Sequence, residues 1–108
     1  MRLAHRVALL KPVTSSDGYG GRDEVRAERF RAKADIRYLR GGEEVQAARL
    51  AGRQPAVVTI RAFSASREVT TGWTVRDLRR GVDYNVRSVV PSYDRRHVEI
   101  TCESGIAL

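Results

Sequence analysis

Hydrophobic and polar residues alternate with a period of two along most of this chain. The clearest stretch covers residues 24–39, where the apolar positions fall on one face: Phe30, Ala32, Ala34, Ile36 and Tyr38. The positions between them are charged: Arg29, Arg31, Lys33, Asp35 and Arg37. Successive side chains of a strand point to opposite faces, so this pattern predicts a long, half-buried antiparallel strand. At helical spacing the same apolar residues would scatter around the axis.

The same alternation predicts five further strands. The first begins at His5 and ends at Pro12, and the others cover residues 57–62, 73–78, 82–90 and 97–102. In the fifth, one face is predicted to carry Val82, Tyr84, Val86, Ser88 and Val90. Residues 91–96 contain Pro, Ser and Asp and predict a turn between the last two strands. Residues 14–23 and 64–72 are polar and predict loops.

One segment lacks the alternation and predicts a short helix. Gly41 and Gly42 precede Glu43 and Glu44, and Gly52 ends an Ala-containing run. Acidic residues in the first turn and glycine after the last turn suit the helix dipole and a left-handed C-terminal residue. The fold class is therefore all-β: a small antiparallel β-barrel or sandwich of about six strands, with one short helix inserted between the second and third long strands. A length of 108 residues suits a single domain spanning 1–108, and closing the sheet protects the strand edges.

The residues offer little for catalysis or for a cofactor. The single cysteine, Cys102, excludes an internal disulfide and a multi-cysteine zinc site. The two histidines, His5 and His97, lack the spacing of a metal motif. A triad of His97, Asp94 and Ser92 or Ser104 lacks a G-x-S-x-G elbow. We therefore expect no enzyme activity, no catalytic residue, no metal and no cofactor.

The chain carries a net charge of +7, and almost all of its positively charged residues are arginines. That balance suits nucleic acid or an acidic protein surface as a partner, although solvated strand faces also explain it. One function class that follows is a monomeric, OB-like nucleic-acid-binding barrel. Aromatic residues, which such a barrel uses to stack on bases, make up only 6% of the chain.

No run of about 20 apolar residues is present, so we expect no membrane helix. The N-terminal residues lack the order of a signal peptide, so we expect cytoplasmic synthesis.

The order of several short motifs is informative along the whole chain. In sequence they are Lys11-Pro12-Val13 at the end of the first strand, the loop Asp17-Gly18-Tyr19-Gly20, Gly41-Gly42-Glu43-Glu44 before the helix, a strand over residues 81–89, and a last strand that reaches Cys102-Glu103. This order resembles the phage head–tail joining (head closure, or stopper) proteins, including relatives from prophages and gene transfer agents. Two features depart from that pattern: the tryptophan common after the first loop is replaced by Phe30, and residues 81–83 begin their strand differently. Both leave the subfamily open.

The resemblance implies a homo-oligomer, usually a hexameric ring, in the virion neck. Its partners would be the portal or adaptor ring on the head side and a tail terminator or tail tube protein on the tail side. The ring would retain packaged double-stranded DNA, bound without sequence preference, and would provide the surface to which the tail docks. Synthesis would take place in the cytoplasm of the bacterial host.

Two sets of residues are candidates for these contacts. Residues 40–55 are predicted to face the DNA channel or a ring neighbour, through Arg40, Glu43, Glu44, Arg49 and Arg53. The two polar loops are predicted to contact adjacent rings and to become ordered on assembly. Their candidate residues are Asp17, Tyr19, Arg22, Arg67 and Trp73.

Overall fold

The structure is a computed structural model that describes residues 3–16 and 22–105. Its elements, in chain order, are β1 (His5–Ser16), β2 (Arg22–Tyr38), α1 (Glu43–Leu50), β3 (Gln54–Arg61), a 3₁₀ turn (Ser66–Glu68), β4 (Thr74–Asp77), β5 (Val82–Pro91) and β6 (His97–Ser104). The strands close into an antiparallel barrel in the order β1-β2-β3-β6-β5-β4. The all-β prediction, with one short helix between β2 and β3, is confirmed.

The predicted alternation places the core. On β2, Ala34 and Ile36 are buried, whereas Lys33 and Arg37 on the opposite face are exposed. The largest side chains that are fully buried come from β1, β3, β5 and β6: Leu9, Ile60, Tyr84 and Ile100. Burial of such apolar side chains is the main stabilising contribution to a barrel of this size.

A β-bulge changes the predicted faces of β5. The register with β6 pairs Val86 with Cys102 and then Ser88 with Thr101, so Arg87 is the extra residue. An extra residue shifts every later side chain to the other face. Consequently Val89 packs against the core and Val90 is 53% exposed, so the face predicted for Ser88 and Val90 is wrong.

The first strand does not end at Pro12, as the sequence predicted. It continues to Ser16, and Val13 pairs with Val25 of β2. Beyond Leu10, β1 pairs with β2 alone, because its ladder with β4 ends there. Proline is tolerated in such an edge position, where its missing N–H removes no second ladder bond. Residues 11–16 and 22–28 thus form a two-stranded projection, here named the β-arm. It includes residues 14–16 and 22–23, which the sequence predicted to be the two ends of a loop over residues 14–23.

The barrel has two ends that differ in what they carry. Along β3 and β6, Gln54 pairs with Ser104 at one end and Arg61 pairs with His97 at the other. The first end, named the helix end, carries α1 and the β4–β5 turn. The second, named the arm end, carries the β-arm, the 3₁₀ turn and the β5–β6 turn. The eight residues of β3 extend about 23 Å from one end to the other.

The thiol of Cys102 is buried inside the barrel, where desolvation raises its pKa to about 12. We therefore expect the folded subunit to be inert to a thiol-specific aromatic disulfide at pH 8, because the thiolate is the reactive form. Addition of denaturant should release one rapidly reacting thiol per chain, which absorbance of the released chromophore measures. Stoichiometric reaction within seconds in the native state would contradict this burial.

Candidate functional site

The helix-bearing excursion between β2 and β3 is shaped by glycines at both ends. Gly42 precedes α1 with φ of 86°, and Gly52 follows it with φ of 82°. The Arg53 N–H donates to the Ala48 carbonyl at 2.8 Å, and the Gly52 N–H donates to the Arg49 carbonyl at 3.0 Å. These two bonds form a Schellman motif, which ends the helix after Leu50 and turns the chain into β3.

Only one side of α1 lies against the barrel. Ala48 is buried there and Val45 is half-buried. Leu50 is 89% exposed, and Glu43 and Glu44 are also exposed at the start of the helix. The excursion therefore presents a charged and partly apolar surface at the helix end.

Glu103 of β6 anchors the base of this excursion. Its side chain is largely buried, with Oε1 lying 3.6 Å from Nη1 of Arg53 and Oε2 lying 3.7 Å from Nε of Arg87. The Arg53 charge is thus compensated within the subunit. Arg40 and Arg49 are exposed and form no ion pair with any described residue. The sequence gives no local signal for this role of Glu103, because Glu103 meets Arg53 and Arg87 only through the pairing of β6 with β3 and β5.

The structure gathers the predicted contact residues of the excursion at one end of the barrel, but it does not bring the predicted inter-ring residues together. The five residues of the excursion lie together at the helix end. Arg67 is exposed in the 3₁₀ turn at the arm end, and Arg22 begins β2. Asp17 and Tyr19 lie outside the described residues. The inter-ring role of this second set stays a prediction.

Trp73 is part of the core, not of a loop surface. Its side chain is 3% exposed, and its ring centroid lies 6.5 Å from that of Phe30. The preceding segment is also anchored: Val69 is buried, and the Ser66 hydroxyl exchanges hydrogen bonds with the N–H and carbonyl of Phe63 at 2.8 and 2.9 Å. These contacts hold the segment in place within the subunit, although its polar sequence predicts that it becomes ordered on assembly.

The β5–β6 turn is held by a compact hydrogen-bond network. The Ser92 hydroxyl donates to Oδ1 of Asp94 at 2.7 Å, and the Arg96 N–H donates to the same oxygen at 3.0 Å. The His97 N–H donates to the Ser92 hydroxyl at 3.1 Å, and Arg95 adopts a left-handed φ of 60°. The turn projects Tyr93, whose side chain is fully exposed. A rigid turn with an exposed tyrosine beside arginines is typical of a protein contact.

The Ser92→Ala variant tests this network. The Ser92 hydroxyl and then the Arg96 N–H lower the pKa of Asp94, so the variant should raise that pKa toward its ordinary value. Because the folded pKa is the depressed one, the stabilisation is present above the ordinary value and is lost as pH falls through the folded pKa. Titration of the Asp94 carboxyl carbon by NMR measures both values, and an unchanged pKa in the variant would contradict the network.

Beside this turn lies a groove of about 760 Å³, here named the arm-end groove. Its lining includes Val69, Val89 and Val98, which are buried or half-buried and are here called its floor, and Arg67 and Arg95, which are exposed and are here called its rim. The partly exposed Phe63 and Val90 extend the apolar surface nearby. An apolar floor with cationic edges suits a protein segment that carries apolar and acidic side chains.

The basic face of β2 is less available than the sequence suggested. Arg29 lies 3.3 Å from Glu68, and Arg31 lies 3.0 Å from Glu28. The two aromatic residues of this strand also have partners within the subunit. Phe30 packs edge-on against Phe63 with centroids 5.3 Å apart, and the Tyr38 hydroxyl accepts a hydrogen bond from Arg80 at 2.6 Å. β2 therefore lacks the free aromatic platform that an OB-like single-strand binder needs.

The described residues contain no group of three or more His, Cys, Asp or Glu side chains placed to hold a metal ion.

Asp77 stabilises the β4–β5 turn, where its Oδ1 accepts hydrogen bonds from the N–H groups of Arg79 and Arg80 at 3.0 and 3.3 Å. Burial raises the pKa of Tyr84, and a hydrogen bond with Tyr38 adds to the shift. Among the helices of the described part of the chain, none has the length and hydropathy to span a membrane.

Comparison with known proteins gave one matching family and several solved structures of similar fold, two of which are described here. The family model described as "Phage head completion protein" matches residues 1–105. A protein from Shigella flexneri 2a, solved in solution, superposes with a TM-score of 0.74 at 16% identity, covering 99% of this chain and 96% of that one. A chain of the virion of a native gene transfer agent particle superposes with a TM-score of 0.69 at 19% identity, covering 99% of each chain. No curated protein matches the chain.

Proposed function

Since the chain belongs to the phage head completion protein family, we propose that it closes the DNA-filled head as a ring-forming stopper subunit in the virion neck. The family match over residues 1–105 carries this proposal, and it confirms the resemblance found in the sequence. The family is one of structural phage head proteins. The shared barrel of the gene transfer agent virion chain agrees with such a role.

A ring needs two different surfaces on each subunit, because neighbours in a closed ring meet through unlike patches. Two unlike surfaces of the barrel support the proposal: the helix end carries α1, and the arm end carries the β-arm and the arm-end groove. We expect the usual sixfold ring, with the portal or adaptor on one side and the tail terminator or tail tube protein on the other.

The excursion supplies the candidate contact with packaged DNA. Arg40 and Arg49 are exposed on it without an intramolecular ion pair, whereas Arg53 is engaged by Glu103. Free guanidinium groups bind phosphates without reading the base sequence. We therefore assign DNA retention to Arg40 and Arg49 and give Arg53 a structural part in the base of the excursion.

Electron cryomicroscopy of particle necks, with this chain traced in the density, tests the proposal. We expect one ring of this subunit between head and tail, with residues 40–55 directed toward the central channel. Absence of the chain from the neck would overturn the stopper role. A ring with residues 40–55 on its outer rim would overturn the assignment of DNA contact to them.

The monomeric nucleic-acid-binding alternative makes a different prediction. It requires the free subunit to bind single-stranded DNA with an affinity that falls steeply as salt rises. Fluorescence anisotropy of labelled oligonucleotides at several salt concentrations measures this, and tight binding by a subunit that never enters particles would favour the alternative.

A further inference from the structure

The outward side of α1 is a stripe without a partner in the subunit. Glu43, Ala47 and Leu50 are spaced i, i+4 and i+7, so they lie one above another on the same helix face. Ala48, on the opposite side, packs against the barrel. The stripe is acidic where the helix begins and apolar where it ends, and Leu50 is almost fully exposed.

The arm-end groove has the complementary chemistry. Its floor is formed by valines and its rim carries Arg67 and Arg95. Both arginines are exposed and neither forms an ion pair with a described residue. A helix with one leucine and one carboxylate on a single face therefore matches both the apolar floor and the charge of the rim.

The stripe and the groove cannot meet within one subunit. α1 precedes β3 at the helix end, whereas Arg67 and Arg95 follow the other ends of β3 and β5. The length of β3, about 23 Å, separates the two ends on which these positions lie. Two unlike, complementary patches at opposite ends of a subunit are what a head-to-tail contact between identical copies requires.

We propose that α1 of one copy docks into the arm-end groove of the next copy, with Leu50 on the valine floor and Glu43 beside Arg67. The inference rests on the proposed ring, for which it specifies the contact between neighbours. Arg49 lies about 120° around the helix from the stripe, given 100° per residue, so this docking leaves its side chain free to face DNA.

The Leu50→Asp variant tests the apolar half of the contact. Leu50 is exposed in the subunit, so the variant should fold with an unchanged unfolding midpoint, while self-association should weaken at least tenfold. Sedimentation velocity of the full chain over a range of concentrations measures association, with electron microscopy of the same samples to identify rings. The matched Leu50→Met variant, which keeps an apolar side chain, should associate like the wild type.

A charge exchange tests the polar half. Glu43→Arg and Arg67→Glu should each weaken association severalfold, because each places like charges together. The double variant should recover association close to the wild-type level. Arg37→Glu is the control for Arg67→Glu: it makes the same change in net charge on the outer face of β2, and Arg37 has no described ion-pair partner.

The outcomes separate this contact from the stopper role. A wild-type chain that stays monomeric at every concentration, or a Leu50→Asp chain that associates like the wild type, overturns the docking of α1. Failure of the double variant to recover overturns the pairing of Glu43 with Arg67. In the neck density, a groove filled by a different protein overturns the inference but leaves the stopper role intact, whereas absence of the chain from the neck overturns the role itself.

Discussion

The Trp73→Ala variant is expected to lose about 3–5 kcal/mol in free energy of unfolding, the cost typical of deleting a buried indole. Trp73 is enclosed at the arm end next to Phe30, which in turn packs on Phe63. Truncation removes these aromatic contacts and leaves a cavity that the surrounding strands cannot fill. Chemical denaturation of the isolated subunit, followed by circular dichroism, measures the loss.

Tyr93→Ala is the matched control, because it removes another aromatic ring from the same end of the barrel. Its side chain is fully exposed, so the free energy of unfolding should stay within about 0.5 kcal/mol of the wild type. If Trp73 instead served only as a contact between rings, as its position after a polar loop suggested, Trp73→Ala would unfold like the wild type and fail in assembly. The two variants together decide between these roles.

The strands could be predicted from the sequence because most barrel strands have one face exposed to solvent and one face buried in the core. On β2, the four basic residues from Arg29 to Arg37 are exposed and Asp35 is half-buried, so the period of two is unbroken. The helix was readable for a different reason: Gly42 and Gly52 adopt positive φ angles that few other residues tolerate. Such local signals do not depend on the rest of the fold.

The features that the sequence did not predict depend on tertiary pairing. Nothing in the residues around Arg87 marks the bulge, which exists only because β5 must match the register of β6. The outer part of the β-arm, residues 14–16 and 22–23, was predicted as a loop because Ser15 and Ser16 favour turns, yet pairing with β2 keeps them extended. Trp73 has polar neighbours in sequence, Gly72 and Thr74, and only the closed barrel places its ring in the core.

The candidate site likewise has some features that the sequence predicts and others that depend on tertiary pairing. The excursion was identified by its glycines and by its place between two strands, and the structure brings its five predicted residues to one end of the barrel. The compensation of Arg53 by Glu103 was not predictable, since the two residues are far apart in sequence and meet only through the pairing of β3 with β6. The family was indicated by the order of motifs along the whole chain, and no single residue indicated it.

The Gly105→Ala variant is expected to lose about 3 kcal/mol in free energy of unfolding, from backbone strain and steric overlap together. Gly105 follows β6 with φ of 82°, a conformation that alanine adopts only at a cost. A Cβ added there would also overlap the carbonyl oxygen of Gly52 and lie 3.3 Å from the Cα of Arg53. Both are backbone atoms that cannot move aside without shifting the end of the helix. Thermal unfolding of the variant should begin at least about 10 °C below that of the wild type.

Gly81→Ala separates the two contributions, because Gly81 has φ of 68° but no atom within 4 Å of an added Cβ. It should lose only about 1 kcal/mol, the cost of the left-handed conformation. The remaining loss in Gly105→Ala then measures the close approach of the β6 end to the Gly52 turn, which fastens the base of α1 to the barrel. Hydrogen exchange of residues 43–53 should therefore accelerate in Gly105→Ala and stay unchanged in Gly81→Ala. Equal losses in the two variants, with unchanged exchange in α1, would show that this contact does not position the helix that we assign to DNA and to the neighbouring subunit.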